Sequence, residues 1–180
     1  SEVLETNNTL VRVTGARRIG KSWFLQWIKE TAPKEHYVCI QVILGAVKDV
    51  TEFVQELWNE LPSSVKESCP QAAGFAETGD LNKFLKAVTN VVASKNRQLV
   101  LLLDEEGAFG RWAQRDADML NRLSEAFYYN RGVRVVLAVS PLFSPALRTL
   151  PGHTSWLLGD FFEVSPPLTE LNDADANCLI

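Results

Sequence analysis

Residues 15–22 are the part of the sequence best suited to chemistry, and they read Gly-Ala-Arg-Arg-Ile-Gly-Lys-Ser. The run fits the pattern GxxxxGK[ST] throughout, and it lies between an apolar, β-branched run and a segment with helical spacing. In that context a glycine-rich backbone curls around phosphate groups, and the amides of the helix N-terminus point at their negative charge. Lys21 would reach the β- and γ-phosphates, and the Ser22 hydroxyl would bind Mg²⁺. The residues expected to contact the nucleotide are Gly15, Ala16, Arg17, Arg18, Ile19, Gly20, Lys21, Ser22 and Trp23.

The basic pair inside this run, Arg17 and Arg18, leaves two interpretations open. The two guanidinium groups could contact phosphates or a neighbouring subunit. Alternatively, they could point to solvent or pair with nearby carboxylates. A chance match to the whole pattern is expected in roughly half a percent of chains of this length, so the motif itself favours phosphate binding.

A second candidate site is the acidic end of an aliphatic run. Residues 99–103 are Leu-Val-Leu-Leu-Leu, which is typical of a parallel strand buried on both faces. Asp104, Glu105 and Glu106 follow directly, at the strand end where the functional groups of open parallel sheets cluster. We expect Asp104 to hold Mg²⁺, directly or through water, and Glu105 to activate an attacking water as general base. Glu106 is an alternative base, and solvated acids that merely cap the strand are the structural alternative.

Apolar runs alternate with helical segments along the chain, which predicts a parallel sheet covered by helices. Strands are expected at residues 9–14, 36–44, 99–103, 133–139 and 161–164, and helices at 21–31, 49–61, 81–92 and 114–129. Residues 62–79 are expected to form a loop or a weak helix. The predicted fold class is a three-layer α/β/α core with a roughly five-stranded parallel sheet. Because a helix-bearing insertion separates strands 9–14 and 99–103, these two strands are not expected to be neighbours.

The tryptophans are interpreted as core or interface residues, and the first helix is expected to bury one apolar face. That face would contain Trp23, Phe24, Trp27 and Ile28.

The composition of the chain indicates which partners to expect and where in the cell the protein lies. The net charge is −4, so nucleic acid is not the default partner. Cys39, Cys69 and Cys178 show no metal-ligand spacing and are interpreted as reduced thiols. No apolar run of about 18 residues and no leader peptide is visible, which predicts a cytoplasmic protein without a membrane span.

Together these features resemble the archaeal-type and STAND ATPases of the AAA-like group of P-loop NTPases. The resemblance rests on the GxRRxGKS loop, the strand ending in Asp104-Glu105, Ser140 after the fourth strand, and the segment 167–176, Pro-Leu-Thr-Glu-Leu-Asn-Asp-Ala-Asp-Ala. It implies that Ser140 is a polar sensor facing the γ-phosphate. It also implies an ATPase core over residues 1–165 and, over 166–180, the start of a truncated helical lid that leads to sensor or effector domains.

The sequence departs from that family pattern in three places. Residues 1–8 contain no acidic, Arg-containing adenine motif, and residues 156–160, Trp-Leu-Leu-Gly-Asp, lack the arginine common before the fifth strand. Val139-Ser140 stands where relatives have Gly-Ser. No arginine finger is assigned, and Arg148 is a weak candidate.

The resemblance implies ATP binding and Mg²⁺-dependent hydrolysis that drives a regulatory switch, with self-association through the ATPase domain. ATP is favoured over GTP because the nearest approach to an Asn/Thr-Lys-x-Asp motif, residues 82–85, lacks the Asp. One alternative is an ATP-binding module with negligible hydrolysis. Another is a small-molecule or nucleotide kinase, which needs lid arginines, although only Arg134 and Arg148 lie beyond the start of the fourth strand. A DNA-associated ATPase gains no support from the acidic composition.

Overall fold

The strands of the chain form one parallel sheet. The computed structural model describes residues 4, 9–16, 18–105, 107–116, 118–140 and 162–163. The strands are β1 (Leu10–Thr14), β2 (Tyr37–Ile43), β3 (Gln98–Asp104), β4 (Val133–Val139) and β5 (Phe162–Glu163). Their order in the sheet is β2-β3-β4-β1-β5, and every neighbouring pair is parallel. The predicted parallel sheet is therefore confirmed, as is the separation of β1 from β3; the remainder of the predicted strand 161–164 lies outside the described residues.

Helices connect the strands, and polar side chains mark where several of them begin. They are α1 (Lys21–Thr31), α2 (Val50–Glu60), α3 (Ser63–Lys66), α4 (Gln71–Thr78), α5 (Leu81–Ser94), α6 (Gly107–Arg115) and α7 (Met119–Tyr129), with a 3₁₀ turn at Leu44–Ala46. Asp49 and Asp80 cap α2 and α5, since each carboxylate accepts the backbone N–H three residues later. Such caps satisfy amides that have no partner inside the helix.

The core lies on both faces of the sheet, which gives the predicted three layers. Along β3 the side chains alternate: Leu99, Leu101 and Leu103 pack on one face, whereas Val100 and Leu102 pack on the other. Helices α2, α4, α5 and α7 cover the first face, and α1 covers the second. Because β3 is buried on both faces, its aliphatic run positions Asp104 at the edge of a rigid strand.

The buried face of α1 differs from the prediction. Leu25 and Ile28 are buried, whereas Trp23 is 60% and Trp27 38% exposed. Trp23 and Trp27 are one turn apart on a stripe roughly opposite Leu25, because 100° per residue places them about 160–200° around the helix. The prediction that Trp23 and Trp27 lie on the buried face of this helix is therefore wrong. Trp112 is buried as expected, and its indole N–H donates to Val47 O at 2.9 Å.

Two other segments also differ from the sequence expectation. The single helix expected at 114–129 is two helices, α6 and α7, interrupted at a turn. There the Asp116 carboxylate accepts the Asp118 N–H, and the Asp116 carbonyl accepts the Met119 N–H. Such local side-chain bonds compete with helix propagation. Residues 62–79, expected to form a loop or a weak helix, contain the two short helices α3 and α4.

The described cysteines form no disulfide. Cys69 is buried, and burial raises the pKa of the partly buried Cys39 to about 11, so its thiol stays protonated at neutral pH. Cys178 and Trp156 lie outside the described residues. Within the described ranges, no helix combines the length and apolar character needed to cross a bilayer.

Two glycines, one inside α4 and one directly after it, allow a matched test of how α4 packs on α2. Gly79 ends α4 at φ +69°, and a Cβ there would overlap Thr51 Oγ1 and lie 3.0 Å from Thr51 Cα. Gly74 lies inside α4, and a Cβ there would meet nothing within 4 Å. We expect Gly79→Ala to lower the free energy of unfolding by about 1–3 kcal/mol and Gly74→Ala to raise it by about 0.5–1 kcal/mol, measured by urea denaturation. Equal effects of the two variants would contradict the packing of α4 on α2.

Candidate functional site

The carboxyl ends of three parallel strands bring the predicted site residues to one edge of the sheet. The run 15–20 follows β1, Asp104 is the last residue of β3, and Ser140 follows β4. Thr14 aligns with Val139, and Leu103 with Leu137, so the three ends lie side by side. Neighbouring strands are about 4.8 Å apart. Residues separated by more than 80 positions in the sequence therefore meet at this edge.

Two described residues of the glycine-rich loop have left-handed backbone conformations. Gly20 has φ +99°, which L side chains rarely adopt, and Arg18 has φ +66°. A Cβ at Gly20 would meet nothing within 4 Å, so the glycine is needed for its backbone conformation rather than for space. The Gly15 N–H donates to Val139 O at 3.3 Å, which ties the start of the loop to β4.

The Lys21 ammonium lies inside the curve of the loop. It donates to two loop carbonyls, Gly15 O and Ala16 O, each at 2.8 Å. Gly20 provides no side-chain cap for α1, and the first turn contains no acidic residue. The first amides of α1 are therefore left for an external acceptor, at the end of the helix that favours negative charge. These features fit a phosphate group, which would accept hydrogen bonds from both the amides and the ammonium.

Asp104 and Ser22 provide oxygen ligands suited to Mg²⁺. Asp104 is only 6% exposed; its Oδ1 accepts the Glu105 N–H at 2.9 Å, and its Oδ2 bonds no described residue. The Ser22 hydroxyl, which is exposed, also bonds none of them. The described residues contain no cluster of three or more His, Cys, Asp or Glu. Magnesium in nucleotide sites binds one or two protein oxygens together with phosphates and water, and Asp104 and Ser22 are oxygen donors of that kind.

Glu105 has an orientation that the sequence did not predict. Its backbone has φ +64°, and its carboxylate lies against Gly45, where an added Cβ would overlap Oε2. Arg111 approaches the same place, with Nη2 3.7 Å from that Cβ position. Gly45 follows β2, which lies on the side of β3 away from β1. The carboxylate is therefore directed away from the loop that holds Lys21.

The other residues singled out from the sequence lie at several different places in the structure. Ser140 is half-buried at the end of β4, and Trp23 extends into solvent beside the loop. Arg134 is 6% exposed at the start of β4, the end of the strand opposite the loop, and burial lowers its pKa. Arg17, Glu106 and Arg148 lie outside the described residues.

Sequence reasoning missed Gly45 and Arg111, the two residues around the Glu105 carboxylate. A glycine directly after a strand at the carboxyl edge was a signal for Gly45, because such a position allows close approach of another group. Nothing in the sequence pattern pointed to Arg111, whose guanidinium the first turns of α6 bring close to Gly45.

Comparisons with known proteins agree with this geometry. The AAA domain family matches residues 5–147. Among solved structures, the Walker-type ATPase PABY2304 of Pyrococcus abyssi has a TM-score of 0.56 at 18% identity, covering 76% of this chain and 41% of that one. The Aeropyrum pernix ORC2 protein, solved as ADPNP-ADP complexes, has a TM-score of 0.58 at 15% identity, covering 89% of this chain and 42% of that one.

At these identities the two structures establish the fold, and the chain spans about two fifths of the length of each. No curated protein matches the sequence. The family match covers most of the chain, including the glycine-rich loop, β3 with Asp104, and β4 with Ser140. The chain therefore belongs to the AAA domain family and is a P-loop NTPase of the AAA-like group.

Proposed function

We propose that this chain binds ATP with Mg²⁺ and hydrolyses it, and that its nucleotide state switches the arrangement of attached domains in a STAND-type ATPase. The observation that carries the proposal is the placement of Lys21. Its ammonium lies within the glycine loop, at a helix N-terminus whose first amides are uncapped. Two loop carbonyls now accept from it, and the γ-phosphate oxygens of ATP would compete for the same donors.

Ser22 and Asp104 would hold the magnesium ion. Asp104 Oδ2 and the Ser22 hydroxyl, which bond no described residue, would be oxygen ligands from the two motifs that flank the phosphate position. When bound, Mg²⁺ neutralises charge that develops on the β- and γ-phosphate oxygens. Burial keeps Asp104 on a rigid strand, while the bond from the Glu105 N–H orients its carboxylate.

Glu105 would act as the general base, and this role requires its side chain to move. A base must come within about 2.6–3.2 Å of the water that it activates. The carboxylate now lies against Gly45 on the far side of β3 from β1. Rotation of the side chain toward β4 would bring it to the edge where Lys21 and Ser140 lie. Ser140 would sense the γ-phosphate from the end of β4.

The switch would act through parts of the protein beyond this core. In this proposal residues 166–180 begin a helical lid after a core that ends near residue 165, and sensor or effector domains follow. Self-association through the ATPase domain would let a neighbouring subunit supply an arginine to the phosphates, as arginine fingers do in related phosphoryl transfer. Each of the two solved neighbours is more than twice as long as its matched part, which is consistent with a core that belongs to a larger protein.

A second candidate function is an ATP-binding module with negligible hydrolysis, and the orientation of Glu105 favours it. A carboxylate held against Gly45 and near Arg111 activates no water at the γ-phosphate. A kinase gains no comparable support, because Arg134 is buried at the wrong end of β4 and cannot reach a phosphate at the loop.

Replacing Lys21 tests the binding half of the proposal. We expect Lys21→Ala to weaken ATP binding by about 10- to 100-fold, because it removes charge-assisted hydrogen bonds worth about 1.5–3 kcal/mol. Isothermal titration with ATP and Mg²⁺ measures the change. Lys34→Ala is the matched control, since Lys34 is exposed and bonds no described residue. Unchanged ATP affinity in Lys21→Ala would remove the basis for the proposal.

Replacing each glutamate after β3 tests hydrolysis and identifies the base. We expect Glu105→Gln to lower phosphate release from ATP by about 10²- to 10⁴-fold while ATP affinity stays within about twofold. Glu106→Gln is the neighbouring control and should retain turnover. Loss of turnover only in Glu106→Gln would transfer the role of base to Glu106. Equally negligible turnover in the unmodified chain and both variants would favour the binding module.

Filling the space at Gly45 tests whether the observed Glu105 orientation is inactive. The backbone at Gly45 does not have positive φ, so alanine fits the chain but displaces the flexible carboxylate. We expect Gly45→Ala to raise basal phosphate release severalfold. The double variant Gly45→Ala/Glu105→Gln should show no such rise. A decrease in Gly45→Ala would mean that the position against Gly45 is the working position of the base.

A further inference from the structure

Away from the site at Lys21, a groove lies between α5 and the turn that leads from α7 into β4. Its volume is about 470 Å³. That volume is within the roughly 300–1,000 Å³ typical of ligand sites. From α5 come Asn82, Lys83, Lys86 and Asn90, and Tyr129 and Arg131 complete the opposite wall. The groove is part of the described chain, and none of its residues belongs to the site at Lys21.

The groove lies at the end of β4 opposite the glycine loop. Arg131 and Gly132 immediately precede Val133, the first residue of β4, whereas Ser140 follows its last residue. Seven strand residues at about 3.3 Å each separate the two ends by roughly 20 Å. The backbone packs tightly here, because a Cβ at Gly132 would lie 2.5 Å from Thr89 Cγ2. The wall formed by the turn is therefore held against α5.

The lining is positively charged although the whole chain is acidic. It contains three cationic residues, Lys83, Lys86 and Arg131, and no acidic residue, whereas the chain has a net charge of −4. Lys83 pairs with Asp80 at 2.7 Å. Lys86 forms no ion pair or hydrogen bond with any residue that the structure describes, and the Arg131 guanidinium lies over the Tyr128 ring at 5.5 Å. Two cations are therefore presented to a negatively charged ligand.

The spacing of side chains along α5 matches an extended peptide. Asn82, Lys86 and Asn90 recur every four residues and form one stripe, in which neighbours are about 6 Å apart along the helix axis. Alternate residues of an extended chain are about 6.6–6.8 Å apart. A peptide lying along this stripe would therefore present every second residue to a successive side chain of α5.

Carboxamide groups on α5 match the hydrogen-bonding groups of a peptide backbone. An Asn side chain both donates and accepts hydrogen bonds, so it can pair with both the N–H and the C=O of a peptide group. The Asn90 carboxamide bonds no described residue, and Asn82 Oδ1 accepts from Asn130 Nδ2 at 3.2 Å. Tyr129, which is 73% exposed, adds an aromatic surface at the rim. Exposed tyrosine of this kind is enriched at protein interfaces.

We propose that this groove binds a short, extended, acidic segment of a partner protein. Carboxylates of the segment would pair with Lys86 and Arg131, and its backbone would hydrogen-bond to Asn90. Binding of such a segment does not require ATP, so this proposal can be tested independently of the nucleotide site.

Fluorescence anisotropy of a labelled octapeptide with alternating Glu and Val tests the proposal on this chain. We expect saturable binding that weakens as salt is added, and at least about tenfold weaker binding of the same peptide with Gln in place of Glu. Lys86→Glu should weaken binding of the acidic peptide by a similar factor. Lys34→Glu makes the same charge change outside the groove and should alter the affinity by less than about twofold. Lys21→Ala should leave peptide binding intact.

Three outcomes would overturn the proposal. Equal binding of the Glu and Gln peptides would remove the role of charge, and equal losses in Lys86→Glu and Lys34→Glu would indicate non-specific attraction. Binding of single-stranded DNA that is lost in Lys86→Glu, without binding of the acidic peptide, would assign the groove to nucleic acid.

Discussion

Pairing of β4 with β1 on one side and with β3 on the other is the constraint on which the candidate site depends. β1 carries the glycine loop and β3 carries Asp104, and β4 lies between them in the sheet. The bond from the Gly15 N–H to Val139 O joins the loop to the same strand. Any distortion of β4 would therefore change the separation of Lys21 and Asp104, although β4 itself contributes only Ser140 at its end.

Two groups at this edge, Lys21 and Asp104, have no oppositely charged partner among the described residues. The Lys21 ammonium donates hydrogen bonds to two neutral carbonyls and to no described carboxylate. One oxygen of Asp104 accepts a backbone N–H, and its other oxygen has no described partner. An opposite charge close to either group would have to be displaced before a phosphate or a cation could bind. The Glu105 carboxylate is directed toward Gly45 instead, and the backbone φ of +64° at Glu105 costs on the order of 1 kcal/mol.

Sequence reasoning succeeded where one residue type satisfies one local requirement. The motif predicted the glycine loop, and the run of aliphatic residues predicted the buried strand before Asp104. The helix-bearing insertion predicted that β1 and β3 are not neighbours. Sequence reasoning failed where orientation depends on packing. The apolar content of α1 did not reveal that Trp23 faces solvent, and the bonds of Asp116 that break the helix are too local for a periodicity to detect. The contact of Glu105 with Gly45 joins two strand ends about 60 residues apart, so no sequence window contains it.

The strand order also has a consequence for how the molecule is built during synthesis. Leu10 pairs with Val135 and Val11 with Phe162, so the first strand of the chain has no partner until β4 has been made. β2 and β3 can pair with each other much earlier. The glycine loop is therefore synthesised early but takes its place in the sheet late. Long-range parallel pairing of this kind is slow, and an unpaired strand can meanwhile pair incorrectly or aggregate. A ligand that binds only the finished loop would draw this last step to completion by mass action.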